Sequence, residues 1–335
     1  MKPVIFGVSG HTLTDDERAF FKDADPLGYI LFKRNCGDRV QMRALTDSIR
    51  ELTGRADVPI LIDQEGGRVA RMQAPVWPEF PAGSAFNVLY ETAPISAIEA
   101  ARANYHALGL MLHEVGVNVD CAPLLDVVQP EVTKAIGDRA FGGEPMQVAA
   151  LGRAAIEGLR RGGVVGVVKH MPGHGRALVD SHLELPRVRA DAAALEVDIE
   201  PFRSNNQAPM GMTCHVVFEA WDAERPATLS PKVISEVIRG RIGFDGLLMT
   251  DDIDMKALSG TAGEKATQAL AAGCDVVLDC WARMDEMVEI AGLIGDATPE
   301  CVARLDRAMA TVAHGAQQPG MVELIAIRDE LLALA

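Results

Sequence analysis

Eight short apolar runs, with helix-like segments between them, leave this chain very few folds to adopt. The runs cover residues 4–7, 29–32, 60–63, 117–122, 164–170, 210–215, 246–251 and 276–278. Several are rich in β-branched residues and apolar at consecutive rather than alternate positions, which is the pattern of parallel strands buried on both faces. Parallel strands need long crossovers, and the intervening segments 96–115, 145–161, 191–203, 231–239 and 263–272 carry helical spacing, several opening on Ser, Pro or Asp. A doubly wound open sheet and a closed (β/α)8 barrel both meet these conditions. The count of eight, with no linker-like stretch, predicts the barrel. One domain over 1–335 is then expected, with 298–335 forming two closing helices around a Gln317-Gln318-Pro319-Gly320 break.

Hydrophobic residues make up 48% of the chain, enough for a sizeable core, while the formal charge of −15 disfavours nucleic acid and anionic membranes as partners. A small molecule is the expected partner. The six cysteines are scattered without a CxxC pair and read as reduced, mostly buried thiols. The N-terminal apolar run is too short for a signal-peptide core, and no span approaches about 20 apolar residues. A soluble, cytoplasmic and monomeric protein is the expectation.

Barrels of this kind carry their chemistry at the C-terminal ends of the strands. The third run ends in Asp63-Gln64-Glu65-Gly66-Gly67-Arg68 with Arg71 beyond, and the fourth runs into Leu125-Asp126, with Gly137-Asp138-Arg139 in the following loop. The fifth delivers Lys169-His170-Met171-Pro172-Gly173-His174-Gly175 followed by Asp180-Ser181-His182, the sixth His215, and the seventh Thr250-Asp251-Asp252. Cations, carboxylates and neutral histidines on one rim suit a substrate dense in hydroxyls, and carbohydrate fits.

Each residue also has a plainer reading. Asp251 could cap the next helix, but with two consecutive acids the first is assigned to chemistry and the second to capping. His182 could be an ordinary loop histidine; Asp180, two residues away, can hydrogen-bond its ring and fix its tautomer. His174 is as suited to bracing the loop as to touching substrate, and His215 reads as a satisfied core histidine. A zinc site built from His170, His174 and His182 with Asp180 or Asp251 is the competing chemistry. Pro172 and Gly173 break any helix that would align the first two, H-E-x-x-H is absent, and no metal is expected.

Lys169-His170-Met171-Pro172-Gly173-His174-Gly175 with Asp180-Ser181-His182 and Pro186 closely resembles the signature of glycoside hydrolase family 3 β-N-acetylglucosaminidases. The resemblance continues through residues 63–71, Ile136-Gly137-Asp138-Arg139, Met212-Thr213-x-His215-Val216, and Gly243-Phe244-Asp245-Gly246 running to Thr250-Asp251-Asp252-x-x-Met255. It implies a cofactor-free (β/α)8 barrel like the bacterial cytoplasmic enzymes of peptidoglycan recycling. Those enzymes remove terminal N-acetylglucosamine from 1,6-anhydro-N-acetylmuramic acid, with or without peptide, so a muropeptide or another N-acetylglucosamine-terminated saccharide is the implied substrate. By position, Asp251 matches the nucleophile, His182 the acid/base and Asp180 its partner. Asp63, Arg71, Arg139, Lys169 and His170 match positions that bind the sugar. Met171 stands where Phe is usual, Thr250 where Ser is usual, and Ile253-Asp254 where Leu-Ser is usual. Asp254 is expected to face solvent from a new helix. A β-glucosidase of the same family and a catalytically silent sugar-binding barrel remain the alternatives.

Overall fold

The computed structural model describes residues 1–129, 135–181, 183–312 and 319–335, and in it each of the eight apolar runs contains a strand. In chain order the strands are β1 (Lys2–Gly7), β2 (Pro26–Leu31), β3 (Ile60–Ile62), β4 (Val119–Asp120), β5 (Val165–Met171), β6 (Arg187–Val188), β7 (Met210–Thr213), β8 (Val217–Phe218), β9 (Leu247–Asp252) and β10 (Val276–Asp279). β1, β2, β3, β4, β5, β7, β9 and β10 close into one barrel in that order, every neighbouring pair parallel, as the predicted (β/α)8 fold requires. β6 and β8 form a separate two-stranded parallel ladder above it.

Residues alternate between the inside and the outside of the barrel. Leu61, Val119, Cys121, Val165, Val167, Met210, Met212, Leu247, Met249, Val276 and Leu278 belong to the inner cluster. Stepping two residues further along three of these rows reaches Asp63 after β3, Lys169 on β5 and Asp251 on β9. Alternation alone therefore brings three charged side chains from separate strands to the same mouth.

The outer layer comprises α1 (Asp15–Ala24), α2 (Arg39–Thr53), α3 (Gly83–Thr92), α4 (Pro94–Glu114), α5 (Pro145–Arg161), α6 (Glu196–Ser204), a π-wound helix over Val233–Ile242, α7 (Ala262–Ala272) and α8 (Met284–Leu293). The two terminal helices do different jobs. α9 (Pro299–Met309) places Cys301, Leu305, Ala308 and Met309 against the inner cluster, plugging the end of the barrel opposite the rim. Arg304 fixes it there through Asp275, immediately before β10, and Asp245, two residues before β9. α10 (Met321–Leu332) instead packs on α4, where the buried Arg328 donates to Asn104 Oδ1 at 3.2 Å. Five cysteines are buried, and none of the six is in a disulfide.

Three local expectations change. α6 starts at Glu196 rather than 191, because 192–195 form turns whose amides are held by Asp191. The 231–239 segment is π-wound and runs on to Ile242, since the helical pattern over ten residues does not separate windings of similar period. No helix begins directly after β9: turns occupy 253–258, and Thr261 caps α7 through Glu264.

Candidate active site

A cavity of about 650 Å³ opens at the C-terminal mouth of the barrel. Seven of the eight site residues expected from the sequence line it: Asp63, Arg71, Arg139, Lys169, His170, Asp180 and Asp251. His182 lies outside the described residues.

One wall is a lattice of alternating charge. Lys169 Nζ lies 3.0 Å from Asp63 Oδ1 and 2.7 Å from Glu65 Oε1. Arg71 meets the other Asp63 oxygen at 3.0 Å, and Arg139 grips Glu65 with two nitrogens, at 2.8 and 2.7 Å. Burial opposes ionisation throughout, but the partners outweigh it. The Lys169 and Arg139 charges hold Glu65 down at about 2, Asp63 is likewise depressed by Lys169 and Arg71, and Lys169 is raised by the two carboxylates. Asp63, Glu65, Lys169 and Arg139 are therefore all charged at neutral pH. With Asp63 bonded through both oxygens and Lys169 through two of its donors, this wall presents donors and acceptors already held in place. Glu65, which joins Lys169 to Arg139, stands in the motif without a role of its own in the sequence reading.

Asp126 organises the second wall. It is fully buried, and Oδ2 bonds His170 Nδ1 at 2.7 Å while Oδ1 accepts the backbone N–H of His170 and of His174. Burial would raise this carboxyl, yet the His170 contact and the amides bring it to about 2. A carboxylate acceptor puts the His170 proton on Nδ1 and leaves Nε2 for the cavity. The peptide joining Lys169 to His170 is cis. His174 also lines the cavity; its Nε2 lies 3.2 Å from Ser181 Oγ, linking the strand end to the segment that carries Asp180. Burial lowers His174 to about 4, so the ring is neutral near pH 7. Gly173 adopts φ 137°, and a Cβ on Gly175 would sit 1.9 Å from the carbonyl oxygen of Val127, so this turn admits no side chain at either position.

Asp251 stands at the end of β9, its Oδ1 accepting the N–H of Asp252 at 2.8 Å. Burial raises a carboxyl, but His170, His215, that amide and Lys169 together hold Asp251 below its ordinary value. It is thus a half-buried anion at the edge of the open cavity. His215 backs it: Nε2 donates to the Asp252 carbonyl at 2.9 Å, and Nδ1 lies 2.8 Å from Thr228 Oγ1. Because a carbonyl only accepts, Nε2 carries the proton; burial lowers the ring's pKa, so neutral Nδ1 accepts from the threonine. The core-histidine reading of His215 therefore describes its bonding. Asp252 caps a turn rather than a helix, accepting from Asp254 N and Cys280 N. Asp254 is partly covered in a 2.6 Å ion pair with Arg283, so its charge is compensated at the rim rather than free in solvent. Among the described residues no group of three His, Cys, Asp or Glu is placed to hold a metal ion. Likewise, no described helix is long and apolar enough to cross a membrane.

Residues 7–315 match the family model described as "Glycosyl hydrolase family 3 N terminal domain". A β-hexosaminidase of Alkalilimnicola ehrlichii is 40% identical over 287 residues, covering 83% of this chain and 80% of that protein. A β-hexosaminidase of Bordetella avium is 35% identical over 315 residues, 92% of this chain and 88% of its own length. In structure, NagZ from Neisseria gonorrhoeae in complex with N-trifluoroacetyl-D-glucosamine superposes with a TM-score of 0.86 at 29% identity, covering 99% of this chain and 98% of that one. A glycoside hydrolase family 3 β-N-acetylglucosaminidase from Paenibacillus sp. str. FPU-7 gives 0.87 at 30% identity, where 98% of this chain spans 66% of the longer protein.

Proposed function

The chain belongs to glycosyl hydrolase family 3, and on that premise we propose that it is a retaining exo-β-N-acetylglucosaminidase acting in the cytoplasm on N-acetylglucosamine linked to 1,6-anhydro-N-acetylmuramic acid. The observation that carries this reading is an ionised, half-buried Asp251 in the same cavity as the Asp63–Lys169–Arg71 lattice and Asp180.

In this mechanism the lattice and His170 hold the hydroxyls of the terminal sugar and set its anomeric carbon against Asp251. The carboxylate attacks that carbon as the glycosidic bond breaks, giving a covalent glycosyl-aspartate. His182 protonates the departing oxygen, with Asp180 stabilising the imidazolium, and then takes a proton from the water that releases the sugar. A histidine can fill this role because its ordinary pKa lies near neutrality. Once neutral it also repels an anionic acceptor less than a carboxylate would, so phosphate is able to compete with water. The departing saccharide leaves through the open mouth, in keeping with an exo-acting enzyme.

The test is chromophore release from the 4-nitrophenyl β-glycosides of N-acetylglucosamine and of glucose, with and without EDTA. Preference for the N-acetyl sugar, unchanged by EDTA, is expected. Preference for glucose would overturn the sugar assignment, and loss on chelation the metal-free mechanism.

A further inference from the structure

Of the three tryptophans in the chain, Trp77 and Trp221 are 4% and 7% exposed, whereas Trp281 is 56% exposed and lines the cavity that holds Asp251. Single exposed apolar side chains are ordinary on a protein surface, but this one is an indole set at the edge of a cavity lined by charged groups. The backbone around it is firmly held. Arg34, a cavity residue itself, donates to the Cys280 carbonyl on one side. On the other, Arg283 is tied to Asp254 and Glu286, both through short ion pairs. Between them Ala282 adopts φ 57°, a left-handed conformation that only one other non-glycine residue, Asp25, shares among the described residues. Such a conformation is uncommon for a residue with a Cβ and concentrates where a side chain must be aimed.

The inner row of β10 explains the placement. Leu278 and Cys280 continue the barrel's interior alternation and line the cavity; Trp281 follows where the strand has ended and the chain turns outward to α8. It therefore stands at the mouth, above the floor where Asp251 and Lys169 lie. A volume of about 650 Å³ is room for more than the one sugar that the charged wall can hold. What remains next to Trp281 is the place of the leaving group.

We infer that Trp281 is a stacking platform for the second pyranose ring of the substrate, the ring whose oxygen departs when the glycosidic bond breaks. One face of a pyranose chair presents C–H groups, which complement the electron-rich face of an indole, and a pre-set indole loses little freedom on binding. This assignment rests on the glycosidase reading and adds to it the residue that selects the leaving saccharide. Trp281 makes no bond to the reacting atoms; it acts on affinity and alignment.

Two measurements decide it. In the first, wild type, Trp281→Ala and Trp281→Phe are compared on the β-1,4 disaccharide of N-acetylglucosamine and on the β-fluoride of N-acetylglucosamine, whose leaving group has no ring. Trp281→Ala should lower kcat/KM at least tenfold more on the disaccharide than on the fluoride, and Trp281→Phe should recover most of the difference. Equal losses on the two substrates, or no loss on the disaccharide, would overturn the platform. In the second, acrylamide quenching of tryptophan emission is followed in the wild-type protein, where Trp281 supplies the accessible fraction. The sulfur-linked disaccharide, which resists hydrolysis, should protect that fraction, and N-acetylglucosamine alone should protect it much less. Equal protection by both, or none, would remove the second-ring site. Protection by the disaccharide in a protein that cleaves neither substrate would instead uphold the platform and sink the glycosidase reading.

Discussion

Asp251, the proposed nucleophile, illustrates how little of such a group's character is intrinsic. Alternation along β9 puts it in the mouth, the Asp252 amide fixes one oxygen, and His170, His215 and Lys169 keep it ionised against burial. Asp251→Asn retains the shape and removes the charge, so turnover should fall by at least about a thousandfold while sugar binding to the Asp63–Lys169 wall persists. Steady-state kinetics beside a binding titration checks this, and substantial residual turnover would remove Asp251 from the reaction. His182→Ala should behave differently. A 4-nitrophenol leaving group needs no proton, whereas a sugar hydroxylate does, so cleavage of the disaccharide should drop about 10²–10⁴-fold and that of the aryl glycoside far less. Equal losses would count against an acid at that position. The charged residues at strand ends were legible because strand ends and motif order mark them. Asp126 was visible at the end of the fourth run, but its role was not, since a single acid after Leu125 looks like any loop carboxylate until His170 and His174 fold against it. Trp281 was silent for the same reason: exposure is a property of the fold.

At the scale of elements, the barrel strands were readable because burial on both faces writes itself as continuous β-branched runs, and 145–161 matched its helix end to end because Pro145 and Gly162 bound it. Winding and onset were not readable, as the π-wound Val233–Ile242 and the late start of α6 demonstrate. Nor was the role of α9, whose amphipathic pattern says that it packs but not on what. Its Leu305 is buried among barrel-floor side chains, at the end of the barrel away from Asp251. Leu305→Ala should therefore cost about 2–4 kcal/mol in urea unfolding, from lost burial plus a cavity that the rigid floor cannot close. Below the unfolding transition kcat/KM should match wild type. A fall in kcat/KM of the folded variant would mean that the plug and the rim are coupled, and unaltered stability would mean that α9 is not the floor.

Taken over the whole molecule, buried ionisable groups pull stability in opposite directions with pH. Glu65 titrates at about 2 in the fold against an ordinary 4.5, so its contribution is complete above about 4.5 and is lost as pH falls towards 2. His174 moves from 6.5 down to about 4, which also favours the folded state above 6.5 and costs stability as acid protonates the unfolded chain first. Asp279 works the other way. It is 1% exposed, both its oxygens lack a hydrogen-bond partner, and burial followed by the Asp252 and Glu286 charges pushes it from 3.8 up to about 7. The unfolded chain releases this proton above about 3.8 while the fold keeps it to about 7, so stability declines across that window and stays reduced above it. Asp279→Asn keeps the shape and removes the charge that the fold disfavours. It should raise unfolding free energy at pH 8 by roughly 2–4 kcal/mol, and by less than half as much at pH 4.5. Denaturant melts of the two proteins at both pH values measure this directly. An equal gain at both would trace the effect to packing, and a loss at pH 8 would mean that the carboxylate is held by a partner worth more than its burial costs.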